Sequence, residues 1–418
     1  MQPGCHASSG QTVLITGARA PVALHHARLF HAAGWRVVLA DMPARPVSRA
    51  SRACALYQRL PSPRFHPEDF TDALEALIER EKPSLIVPTC EEVFYLAAIR
   101  ERRGLGVELF APGLDLLQTS HNKHDFIRLC EGFGIAVPET QLLTCRQDVT
   151  DLGKQAESLV FKPVWSRFAG QVLVSPASRK LKQVVPNAAM PWVAQERLEG
   201  DEISAYVLAR MGKVLAVSMY RSLYRAGAGA GICFEPVKDS ATRAFIETFI
   251  HNTGWTGQVS FDLMRLEDGS VRPLECNPRA TSGLHFFKDA DRFVRTLLQG
   301  GDEVLPDITG IQAVRLAMWV YGLPSALRSR DFARFREVFD AAEEILRTAD
   351  DPAPGRAQIP ALLEIGAIAM RNRMSLQSAT TRDIEWNGPD QSSMSALLGD
   401  TAASGSSPSS IAAMSLRK

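Results

Sequence analysis

The stretch G-Q-V-S-F-D-L-M-R-L-E-D-G-S-V-R-P-L-E-C-N-P-R, Gly257 to Arg279, decides how this chain of 418 residues is read. Asp268-Gly269 is a strong two-residue hairpin turn, because both residues tolerate positive φ. That turn predicts the register. Asp262 opposes Glu275 and Ser260 opposes Asn277 on one side of the ribbon, while Phe261 and Leu263 face Cys276 and Leu274 on the other. Two carboxylates directly opposite each other destabilise a hairpin by up to about 1 kcal/mol unless something neutralises them. A hard divalent cation such as magnesium would do so, sharing its remaining positions with phosphate oxygens. The plain alternative is a solvated polar face screened by Arg265 and Arg272. Against it, the strand ends at Asn277-Pro278-Arg279, which sets a fixed cation beside the carboxylates.

Upstream, two lysines stand out by context. Lys123 lies in H-N-K-H-D-F at the start of a helical segment, and Lys162 ends the apolar strand L-V-F-K-P. A lysine at a strand end can meet phosphate, although a single surface lysine is more often simply solvated. Between them and the hairpin, V-A-Q-E-R-L-E-G-D-E reads as a strand running into a polar turn, where exposed backbone groups can pair with a purine edge.

In this order, S-H-N-K, F-K-P, A-Q-E-R-L-E-G-D-E, F-D-L-M and L-E-C-N-P-R resemble the ATP-grasp superfamily. The chain is similar to its carboxylate–amine ligases and to the ATP-binding domains of biotin carboxylase and carbamoyl-phosphate synthase, over about residues 11–305. The resemblance implies a Rossmann-like parallel-sheet domain (11–118), a two-lobed ATP-grasp domain (119–305), a mainly helical extension (306–390) and a disordered tail (391–418). It implies ATP with Mg2+, or Mn2+ in its place. Lys123 and Lys162 would contact the phosphates, Lys162 and Arg279 would act on the transferring group, and Asp262, Glu275 and Asn277 would hold the metal. Gln195, Glu196 and the backbone near Leu198 would form the adenine hinge. Glu202 would reach the ribose, and Met264 and Leu274 would flank the base. Alternation sets Leu274 on the face opposite Glu275, at odds with that role. The phosphate-covering loop, usually glycine-rich in this family, would here be V-W-S-R-F-A-G-Q-V, with Arg167 supplying charge in place of backbone amides.

The implied chemistry is an ATP-dependent ligation: a small carboxylate is activated as an acyl-phosphate and attacked by an amine. Arg221 and Arg225, on a strand leading into A-G-A-G-A-G, are candidates for carboxylate recognition beside a closing loop, or are solvated surface arginines. Glu91 and Glu92 either bind an amine or begin a helix, where acidic residues suit the dipole. His285 and Cys276 lack a visible base–orienter arrangement and read as core or loop residues.

The first hundred residues alternate strand and helix, which implies a parallel sheet. Gly17 after the first strand and Asp41 at the end of the second suggest a dinucleotide site. Yet T-G-A-R-A-P-V-A supplies only one of the required glycines, and no Y-x-x-x-K pair is present. A nicotinamide oxidoreductase therefore stands as an alternative, as do a bicarbonate-activating enzyme and a nucleotide-binding regulator. After residue 119, Leu159–Pro163, Trp192–Gln195, Val214–Met219, Gln258–Leu266 and Val271–Cys276 read as antiparallel strands. Residues 306–373 read as mainly helical, interrupted by D-D-P-A-P-G.

Composition narrows the class further. Forty-seven Lys and Arg against 46 Asp and Glu give a net charge of +1, which provides no broad field for nucleic acid or an anionic membrane. No stretch is apolar enough to span a bilayer, and no secretion signal is visible at the N-terminus. Seven cysteines without zinc spacing fit a reducing cytoplasm. The expected partners are small-molecule carboxylate and amine substrates, with a homodimer left open.

Overall fold

Short β-branched runs separated by helices build the front of the molecule. A computed structural model describes residues 10–166, 171–227 and 229–388. Arg167 and the tail 391–418 lie outside these described residues. Strands β1 (Thr12–Thr16), β2 (Arg36–Asp41), β3 (Leu56–Arg59), β4 (Leu85–Val87) and β5 (Glu108–Leu109) form one parallel sheet in the order β3-β2-β1-β4-β5. Val13, Leu14, Ile15, Val37, Val38 and Leu39 are all fully buried, as expected when helices cover both faces. Helix α1 (Pro21–Ala32) starts on a proline whose missing N–H costs nothing there, and it buries Val22, Leu24, Leu29 and Phe30. Helices α2 (Pro67–Glu81) and α3 (Glu92–Arg103) complete the crossovers.

Two mainly antiparallel sheets follow. Strands β6 (Thr140–Leu143), β7 (Leu159–Pro163), β8 (Leu173–Val174) and β9 (Trp192–Glu196) form a small lobe in the order β6-β9-β7-β8. Strands β10 (Asp201–Arg210), β11 (Lys213–Ala226), β12 (Ala230–Val237), β13 (Gly257–Arg265) and β14 (Val271–Asn277) form the large lobe, extended by the short β15 (Gln312–Ala313) and β16 (Glu343–Glu344). Sequence pattern understates this sheet. β11 continues past Met219 to Ala226 because β12 pairs with it, and the polar run R-S-L-Y-R-A carries no local signal for that. The segment after 306 is helical as expected, but it also contributes β15 and β16. Of D-D-P-A-P-G, Asp350, Asp351 and Pro352 lie in the break between helices Phe332–Ala341 and Ala353–Asn372, as expected, whereas Ala353, Pro354 and Gly355 already form the first turn of the second.

The hairpin is where sequence and structure differ most usefully. Ser260 pairs with Asn277, Phe261 with Cys276 and Asp262 with Glu275, as the sequence predicts. The turn, however, is one residue longer than expected: the Leu266 amide donates to Ser270 O at 2.8 Å, with Gly269 at φ 81°. Leu263 then pairs with Pro273 rather than Leu274, and the register recovers through a bulge at Leu274. The two one-residue departures cancel, and the bulge carries Leu274 to the same cleft wall as Glu275.

Helix α4 (Leu114–His121) and helix α5 (Lys123–Gly132) join the front to the lobes. The Asn122 side chain caps α5 by accepting from the amides of His124 and Asp125. Phe126 stacks on Phe261 with centroids 6.2 Å apart, and Phe249 meets the same ring edge-on at 5.0 Å. This aromatic cluster locks the start of α5, with Lys123, against the hairpin. Among the described residues no helix is long and apolar enough to cross a membrane.

Candidate nucleotide and metal site

Between the small and large lobes lies a cleft of about 790 Å³. Strand alternation aims one set of side chains into it. β7 presents Val160 and Lys162, β9 presents Gln195, and β13 and β14 present Asp262, Met264, Leu274, Glu275 and Asn277. Glu196, Leu198, Glu202, Arg225 and Arg279 also line it. Lys123 reaches the same place from α5: its ammonium lies 3.2 Å from Glu275 and donates to Ser166 O at 2.8 Å. Arg221 stands apart. It alternates with Tyr220 and Ser222, which line the cleft, and it pairs with Asp201 at 3.0 Å.

The electrostatics follow from burial. Asp262 accepts from Ser204 Oγ at 2.7 Å and Asn277 Nδ2 at 3.2 Å, and Arg279 donates to Asn277 Oδ1 at 3.2 Å. Burial, followed by repulsion from Glu275, pushes the Asp262 carboxyl well above its ordinary value. Burial also works against the charge of Glu275, but Lys123 and Lys162 outweigh it and hold that carboxyl low. Lys162 donates to Gln195 Oε1 at 2.9 Å. Burial brings its ammonium down to about 8, with Lys123 acting in the same direction and Glu275 opposing. Gln195 is fixed in turn by donating to Thr140 Oγ1 at 3.0 Å.

These residues fit a divalent cation. Two cross-strand carboxylates share one wall with an amide oxygen. Among the described residues no group of three or more His, Cys, Asp or Glu forms a metal cage of its own. Magnesium takes one or two carboxylates and completes its shell with water and phosphate, and Asp262, Glu275 and Asn277 could supply the protein's share.

Several cleft residues carry no signal in the sequence. Ser204 belongs to β10, and Tyr220 donates to Thr281 Oγ1 at 3.1 Å. Arg19, Thr89, Glu91 and Thr380 close the side facing the front sheet. Glu92 is a helix-start residue: it is buried and accepts from Thr16 Oγ1 at 2.8 Å and from the Thr89 amide at 3.0 Å. Glu91 lines the cleft, but one of its oxygens accepts from the Trp386 amide at 3.1 Å. His285 and Cys276 are core residues.

The dinucleotide alternative fails on geometry. Both oxygens of Asp41 are occupied by the Arg19 guanidinium, the Arg19 amide and the Met42 amide, which leaves nothing for a ribose. Gly17 serves packing. A Cβ there would lie 2.6 Å from Thr89 Oγ1 and 2.8 Å from Glu92 Oε1.

A small antiparallel lobe closing over a larger one, with lysines on one side and an acidic hairpin on the other, defines a two-lobed nucleotide-clasping fold. Residues 120–283 match the ATP-grasp domain family, and this part of the chain is an ATP-grasp domain. No curated protein matches the chain by sequence. Solved structures share the fold. N5-carboxyaminoimidazole synthetase from Staphylococcus aureus is 13% identical, with 73% of this chain and 82% of that one covered at a TM-score of 0.57. L-amino acid ligase from Bacillus licheniformis is 17% identical, with coverage of 71% and 76% and a TM-score of 0.54. The biotin carboxylase domain of 2-oxoglutarate carboxylase from Hydrogenobacter thermophilus, solved with MgADP and bicarbonate, is 12% identical, with coverage of 72% and 73% and a TM-score of 0.55.

Proposed function

We propose that the protein is an ATP- and magnesium-dependent ligase that activates a carboxylate as an acyl-phosphate and joins it to an amine. The convergence of Lys123, Lys162, Asp262, Glu275, Asn277 and Arg279 on one cleft of an ATP-grasp domain carries this reading. Lys162 and Lys123 hold the phosphates. Gln195, Glu196 and the backbone at Leu198 border the adenine, which rests between Met264 and Leu274. Glu202, paired with Arg225 at 2.7 Å, faces the ribose. Asp262, Glu275 and Asn277 would hold magnesium, whose charge would offset that developing on the phosphate oxygens.

In the first step a carboxylate oxygen of the substrate attacks the γ-phosphorus and the bond to ADP breaks. In the second the amine attacks the acyl carbon, a C–N bond forms, and phosphate leaves with the C–O electron pair. The amine's proton passes to solvent or phosphate. Arg279 and Lys162 stabilise negative charge on the transferring group, in a site where burial magnifies their effect. The substrates are small molecules, and consumption of ATP is consistent with a cytoplasmic enzyme. Thermal denaturation tests the nucleotide class: Mg-ATP should raise the midpoint, and NADH or NADPH should not. Stabilisation by a nicotinamide cofactor alone would overturn the reading.

A further inference from the structure

A second chamber of about 1130 Å³ adjoins the nucleotide cleft, and the two share Arg19, Ala230, Val314 and Thr380 as common wall. The front sheet contributes Met42 and Leu60. The opposite side is built by Tyr321 and by Leu362, Ile365 and Ile368 of helix Ala353–Asn372. The interior is predominantly apolar, and Leu362 stays 52% exposed there. A soluble protein rarely leaves so large an apolar hollow without a use for it.

The polar groups at its edge are unevenly committed. Glu364 accepts from the amides of Ala44 and Arg45 at 2.7 and 2.8 Å, and Asp383 is engaged by Arg19. Among the described residues, the Arg45 guanidinium has no partner, and Arg59 uses only Nε, toward Met42 O. The charge left over at the rim is therefore positive, which disfavours a cationic amine as the occupant of the chamber.

We propose that the carboxylate substrate is an amphipathic acid. Its apolar body fills this chamber, and its carboxylate passes the shared wall to the phosphates. This deepens the ligase reading and rests on it. A chain of methylenes buried here gains roughly fourfold in affinity per group.

The test uses Mg-ATP, hydroxylamine as the amine, and straight-chain acids from butanoate to octanoate, with hydroxamate formation as readout and Mg-ATP affinity measured separately by calorimetry. For wild type, kcat/KM should rise with chain length, on the order of a hundredfold from butanoate to octanoate. Ile365→Trp, which fills the chamber, should lower kcat/KM for octanoate at least tenfold while leaving that for butanoate and the Kd for Mg-ATP within twofold. Ile365→Ala should extend the preference to decanoate, which keeps the test decisive if the larger side chain impairs folding. Flat chain-length dependence, or equal losses for both acids in I365W, would overturn the proposal. So would a change in sedimentation with unchanged selectivity, since a second copy of the chain would then be what covers the chamber. Mg-ATP binding without hydroxamate from any of the acids overturns the substrate class alone. Absence of Mg-ATP binding overturns the ligase reading beneath it.

Discussion

Arg19 is the residue whose removal should cost most for its size. Its guanidinium lies 2.5 Å from Asp41 and 2.5 Å from Asp383, and its side chain is 13% accessible against 0% for Asp41. Truncating one partner of a buried ion pair typically costs about 3–5 kcal/mol, because the other charge stays buried alone. In Arg19→Met the Asp41 carboxylate keeps the backbone amides of residue 19 and Met42, at 2.6 and 2.7 Å, so the lower part of that range applies. Asp383, with 27% accessibility, can turn to water and adds about 1 kcal/mol or less. The expected loss is therefore about 3–4 kcal/mol in urea unfolding followed by tryptophan fluorescence. Adding Asp41→Asn should restore about 1–3 kcal/mol, since the stranded charge is then gone. Freed from Arg19, the segment around Asp383 should also exchange its amide hydrogens faster, the Trp386 amide included. A cost below about 1 kcal/mol, or a double variant no more stable than R19M, would show that Asp41 is not stranded when Arg19 is removed.

Two further outcomes follow from buried groups in the front domain. Gly17→Ala should destabilise the fold by roughly 1–3 kcal/mol and disturb the turn before α3, since φ is 70° and the new Cβ would press on Thr89 and Glu92; unfolding in urea measures it, and a neutral substitution would show that the two turns are not tightly packed. Half-buried His25 and buried His26 and His285 form a cluster in which desolvation lowers the first two to about 4 and the third well below its ordinary value, with Arg28 opposing and Asp307 favouring the charge on His25. Because these folded values lie below the unfolded value of 6.5, the unfolded chain binds protons first as the pH drops. Stability should hold above about pH 6.5 and fall between there and pH 4, by up to about 1.4 kcal/mol per pH unit for each histidine; a urea midpoint unchanged between pH 7.5 and 5 would contradict this.

Much of the cleft was legible because its residues sit in short local patterns. Asp262 and Glu275 follow from strand alternation around one glycine turn, and Lys162 from an apolar run that ends at proline. The reading placed Leu274 on the wrong face because alternation has no provision for a bulge, and bulges depend on the whole ribbon. Arg19 was invisible for a different reason. Its partner Asp383 is 364 residues away, and no periodicity connects them. The chamber behind it is likewise assembled from the ends of β2 and β3, the helical stretch that contains Tyr321 and helix Ala353–Asn372, each unremarkable in sequence. Tertiary pairing also explains the length of β11, whose second half is held by β12 and not by its own pattern.

If the acidic hairpin serves metal-dependent phosphoryl transfer, ADP formation depends on its charge. ADP formation by wild type and Glu275→Gln, in the presence of magnesium, octanoate and hydroxylamine, measures it most directly. Glutamine keeps the shape and removes the charge that faces Asp262. E275Q should stay folded, at a urea midpoint lowered because buried Lys123 loses its partner at 3.2 Å, and should lose ADP formation at least a hundredfold. A folded E275Q that forms ADP at the wild-type rate would contradict it.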